Sequence, residues 1–143
     1  MLYCDKITVP ANTSKDNPVT KTFRVKEDVI TTISVYFPPG HACLTGVSFW
    51  YGEDMVFPDK NYDWIRGNDE SVNAKFYFIL PEVPADVVVK VFNEDTKYNH
   101  TVYIRIEALP REIALWELSI TKLTSMFRDI YPIWRMPVRI IRG

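Results

Sequence analysis

Residues 100–109 read HTVYIRIEAL, and the alternation in that run decides the fold class. Val102, Ile104, Ile106 and Ala108 fall on one side, and Thr101, Tyr103, Arg105 and Glu107 on the other. A period of two is what a strand with one buried and one wet face requires. VITTISVYF (29–37) alternates likewise, with Ile30, Thr32, Ser34 and Tyr36 on one face and Val29, Thr31, Ile33, Val35 and Phe37 on the other. Six further runs have strand character: LYCDKITV (2–9), VTKTFRV (19–25), CLTGVSFWYG (43–52), DMVF (54–57), SVNAKFYFIL (71–80) and DVVVKVFN (86–93). The separators ANTSKDNP, PPG, PDKNYDWIRGNDE and NEDTKYN are turn chemistry. Eight short strands at this spacing indicate a mainly β protein, an antiparallel β-sandwich of jelly-roll type over residues 1–109.

After Leu109 the pattern changes. Ile113, Trp116, Ile120, Leu123, Phe127 and Ile130 are spaced alternately three and four apart, the a/d spacing of a heptad helix. Pro110 and Glu112 suit a first turn, and Pro132 is a stop signal, so the helix is expected over 110–131, about 31 Å long from Arg111 to Tyr131 at 1.5 Å per residue. An extended basic and apolar tail over 132–143 is expected to follow. A single helix packed on its own sheet would show a similar stripe. Leu115, Leu118 and Met126 widen the apolar surface beyond one seam, however, and the tail adds Trp134, Val138, Ile140 and Ile141. So much apolar surface favours contact with another copy or a shell protein.

Charge supports the same reading. Residues 1–109 carry 11 Lys/Arg and 15 Asp/Glu, whereas residues 110–143 carry six and three. The tail's Arg135, Arg139 and Arg142 are placed to pair with carboxylates on a neighbour. Chance scatter in a short segment would give a similar asymmetry. The start, MLYCDKITVP, has no signal-peptide pattern, and no uncharged run is long enough to span a bilayer. Cys4 and Cys43 make neither a disulfide framework nor a metal cluster, and both are expected as buried small hydrophobes.

The sequence offers little chemistry. It lacks GxSxG, HExxH, a phosphate-binding glycine loop and paired CxxC motifs, which argues against an enzyme and implies no cofactor. His41 and His100 stand in separate turn regions, where a histidine is ordinarily polar surface. Asp59, Asn61, Asp63 and Glu70 occupy positions 1, 3, 5 and 12 of a calcium-loop register, but position 6 is Trp64 where that loop needs glycine. Trp50, Tyr62 and Trp64, with carboxylates nearby, offer a carbohydrate-binding or adhesin alternative in which rings stack on a sugar. The competing reading makes the tryptophans core or interface anchors. A nucleic-acid partner is disfavoured because the body is acidic.

The stretches ITVPANTSKDNPVTKTFRV, ISVYFPPGHACLTGVSFWYGEDMVFP, WIRGNDE and VFNEDTKYNHTVYIRIEAL together resemble small β-sandwich structural proteins of tailed double-stranded DNA viruses, of the head-decoration or capsid-associated type. The resemblance covers residues 7–109 in strand-and-turn style and carries no site residue across. It implies a virion component, a capsid decoration or connector assembled in the host cytoplasm, with a capsid shell protein or further copies of the chain as partners.

Overall fold

In the computed structural model of the chain, the described residues are 1–142, with side chains to residue 128. Among the described residues nine strands and one helix follow in order: β1 (Leu2–Val9), β2 (Val19–Val25), β3 (Val29–Phe37), β4 (Thr45–Tyr51), β5 (Asp54–Phe57), β6 (Ile65–Arg66), β7 (Glu70–Ile79), β8 (Ala85–Asn93), β9 (His100–Leu109) and α1 (Arg111–Arg142). The strands form two antiparallel sheets. One has the order β1-β9-β3-β7; the other has the order β2-β8-β4-β5, with β6 paired to β4. The short β6 lies inside what the sequence presents as a turn region.

The expected inward face of β9 is buried throughout, at Val102, Ile104, Ile106 and Ala108. A single apolar cluster joins these residues to Ile7, Val9, Ile33 and Val35 of their own sheet. From the other sheet it takes Phe23, Val25, Val47, Phe49, Val87, Val89 and Val91. The alternation expected for residues 29–37 fails at one place. Ile30 is buried in the cluster with Ile33 and Val35 rather than facing outward with Ser34 and Tyr36. The pairing of β3 with both of its neighbours shifts register between Ile30 and Thr32. An extra residue there reverses the phase of the side chains, which period counting cannot detect.

Phe92 is fully buried yet stands outside that cluster. Its ring is covered by Trp64 at 5.2 Å between centroids, by the Arg66 guanidinium at 4.8 Å and by the Lys15 ammonium at 5.9 Å. Across the ladder its partner is Gly46, where an added Cβ would fall 2.3 Å from two ring carbons. Gly46→Ala is therefore expected to lower stability by about 1–3 kcal/mol, the usual cost of overpacking, read as a lower denaturant midpoint with the β-sheet spectrum retained.

The chain divides into two compact units, Met1–Leu109 and Pro110–Gly143. In the second, α1 runs past Pro132 to Arg142, where the sequence reading ends the helix and begins an extended tail. A proline removes one backbone donor and crowds the preceding turn, which can kink a helix without ending it. No helix among the described residues is long and apolar enough to cross a membrane.

Candidate functional site

Along α1 the expected seam is exposed wherever its side chains are described. Relative exposures are Ile113 54%, Trp116 71%, Ile120 58%, Leu123 52% and Phe127 70%. At 100° per residue these positions share one side of the helix. Buried Ala114 and half-buried Leu118 and Ser125 fall on the opposite side. Leu115 and Met126, also exposed, broaden the apolar surface. The side chains of Ile130, Trp134, Arg135, Val138, Arg139, Ile140, Ile141 and Arg142 lie outside the described residues.

Trp50, Tyr62 and Trp64 do line one shallow depression, of about 490 Å³. Their stacking surfaces are largely taken. Trp64 is only 8% exposed, packs on Phe92 and has the Lys15 ammonium 5.3 Å from its ring centre. Trp50 is half-buried, donates its indole N–H to the Ser48 hydroxyl at 2.7 Å and carries the Lys90 ammonium 4.1 Å over its ring. Tyr62 alone is open to solvent.

The four residues in calcium-loop register are not gathered around a common centre. Asp59 Oδ1 accepts from the Asn61 amide and so closes its own turn. Glu70 accepts from the Asn68 amide. Asp63 meets Arg66 Nε at 2.8 Å and Lys15 Nζ at 3.2 Å. Burial pushes the Asp63 carboxyl up, but the Trp64 amide and these two cations outweigh it and hold it below the usual range. Arg66 in turn forms two bonds to Glu94, at 3.0 and 3.1 Å, which hold the Glu94 carboxyl low. The network clamps Trp64 and Arg66 over Phe92. Among the described residues no group of three or more His, Cys, Asp or Glu side chains could hold a metal ion.

The two histidines are neither surface residues nor apart. His41 is 1% exposed and His100 9%, with ring centroids 4.4 Å apart. His41 Nε2 donates to the Thr101 carbonyl at 3.1 Å, which leaves Nδ1 to accept from the Thr45 hydroxyl at 3.0 Å. His100 Nε2 lies 2.8 Å from Asp95 Oδ2. Backbone donation from Lys97, and then the His100 contact, hold the Asp95 carboxyl below its usual range. With its two nitrogens occupied and its ring enclosed, His41 has no approach for a substrate. Cys4 and Cys43, expected as buried, are both exposed: Cys4 on the outer face of β1, Cys43 in the left-handed turn before β4.

A larger open groove, of about 940 Å³, lies on the outward face of the β1-β9-β3-β7 sheet. The sequence reading places Tyr103 and Arg105 on an outward face without uniting them with residues of other strands. Strand register does so. Lys6, Tyr103, Tyr36 and Ser71 form one row across the four strands, and Cys4, Arg105, Ser34 and Asn73 form the next. Comparison with protein families, with characterised proteins and with solved structures finds no match for this chain.

Proposed function

We propose that this chain is a non-enzymatic assembly protein: a jelly-roll β-sandwich that carries a self-associating helix. Closure of the two sheets into a sandwich is supported by the one apolar cluster that draws on both. The orders β1-β9-β3-β7 and β2-β8-β4-β5 support the jelly roll, because the chain changes sheet at most connections, as two interleaved Greek keys require.

The observation that carries the assembly reading is the exposed seam of α1. Its occupant is the same seam on a second copy. Three-and-four spacing lets two identical helices keep one line of contact, and Ile113 and Ile120 alternating with Leu123 are the side chains that favour paired strands. Residues meeting their own equivalents across a two-fold axis need no other partner surface. Arg135, Arg139 and Arg142 would strengthen such an assembly by pairing with the acidic body of a neighbour. The capsid-shell setting is drawn from the resemblance of residues 7–109.

Light scattering on the full chain and on a 1–109 truncation tests this reading, with circular dichroism on both. A defined oligomer for the full chain and a folded β-rich monomer for the truncation are expected. A monomeric full chain with an unfolded truncation would overturn it and make the helix part of a private core.

A further inference from the structure

The groove on the β1-β9-β3-β7 face gathers side chains from all four strands. Neighbouring strands lie about 4.8 Å apart and alternate residues of one strand about 6.8 Å apart, so its two rows define a patch of about 14 by 7 Å. Tyr103, Tyr36 and Arg105 stand on the two central strands with the small Ser34 beside them, and Lys6, Cys4, Ser71 and Asn73 border them on the edge strands. Tyr36 and Tyr103 are 40% and 45% exposed, with ring centroids 6.0 Å apart and planes inclined by 42°.

The charge on this face is unbalanced. Among the described residues no salt bridge reaches Lys6 or Arg105. Asp5, whose residue also borders the groove, is already held by Lys21 at 2.7 Å. Glu107, two positions along β9 from Arg105 and on the same face, stands outside the lining. The hydroxyls of Ser34, Ser71, Tyr36 and Tyr103 and the amide of Asn73 are left to meet a ligand. This is a surface with two cations, two aromatic faces and several hydroxyl and amide groups, on a body whose overall charge is negative.

We propose that this face binds a short acidic oligosaccharide. Arg105 and Lys6 would take its anionic groups, Tyr36 and Tyr103 the apolar faces of its rings, and Ser34, Ser71 and Asn73 its hydroxyls. The shared chemistry is a pyranose chain bearing carboxylate or sulfate. Two cations on an acidic body match such a ligand better than a nucleic-acid strand, which needs a broad basic track. The inference is independent of the helix and of self-association.

Calorimetric titration of the full chain with an oligogalacturonate, a heparin-derived oligosaccharide and a neutral cello-oligosaccharide tests it. At least one anionic probe is expected to bind with a Kd below about 1 mM, and the neutral one at least about tenfold more weakly. The two anionic arms separate carboxylate from sulfate recognition. Arg105→Ala and Tyr103→Ala should each weaken binding about tenfold or more. Arg105→Lys should restore part of it, and Lys90→Ala, on the other sheet, should leave it unchanged. Circular dichroism confirms that each variant is folded, and Arg105→Gln replaces any that is not. No binding of either anionic probe, equal binding of the neutral one, tighter binding of a single-stranded oligonucleotide, or insensitivity to both Arg105→Ala and Tyr103→Ala would overturn the proposal.

Discussion

The full chain carrying Ile120→Asp and Leu123→Asp is expected to be monomeric at concentrations where the unsubstituted chain is an oligomer, with its β-sheet spectrum unchanged. The two side chains sit at the centre of the exposed seam, 58% and 52% accessible before any pairing. Complete burial of such a side chain is worth about 1.5–3 kcal/mol, and about half of that remains to be gained here. A pair of helices would lose four such contributions, on the order of 4 kcal/mol, or about a thousandfold in affinity. Burying carboxylates in the seam would add to that cost. Light scattering across a concentration series reads the change directly. An unchanged oligomer would show that the contact lies elsewhere. Loss of the β-sheet spectrum would show that these side chains belong to the folded core. Trp116→Ala, at the more exposed neighbouring seam position, should weaken the same assembly without introducing a charge.

What the sequence reveals follows from which forces are local. β1, β2, β3, β5 and β9 have the bounds read from alternation and turn residues, because each strand's pattern and its stop signals lie within the strand itself. The reversal at Ile30 escapes because a bulge is defined by the neighbouring strands, not by the run that contains it. For Trp64 the sequence sets a sugar-stacking ring beside a core or interface anchor; at 8% exposure it is an anchor, packed on Phe92, 28 positions away in the sequence, a contact that no local pattern supplies. The proline at 132 misleads for the opposite reason: a local breaker can be overridden by the helix on either side of it. The groove residues Lys6, Tyr36, Tyr103 and Arg105 each have an outward position in an alternating run. Their meeting depends on the order β1-β9-β3, and pattern alone does not supply strand order.

His41→Ala is expected to cost about 2–4 kcal/mol at neutral pH and to flatten the dependence of stability on pH. The side chain is enclosed, so its removal leaves a cavity and deprives the buried Thr45 hydroxyl and the Thr101 carbonyl of a partner. Burial, and then the neighbouring His100 ring, depress the pKa of His41 below its ordinary value of about 6.5. The unfolded chain therefore takes up a proton near pH 6.5 while the folded one does not. Stability is greatest above that pH and falls as pH drops through 6.5 toward the folded-state pKa. The slope has a limit of about 1.4 kcal/mol per pH unit for one proton. Asp95 adds a separate loss at lower pH, because its depressed folded pKa stabilises the protein above the ordinary carboxylate range and that contribution disappears on protonation. Denaturant midpoints measured from pH 8 to pH 5 should fall steeply for the unsubstituted chain and less steeply for His41→Ala. His41→Gln, which can donate to Thr101 and accept from Thr45 but does not titrate, should recover part of the stability and keep the shallow slope. Equal slopes in all three proteins would mean that the proton is taken up elsewhere and that the enclosed ring pair does not govern this pH range.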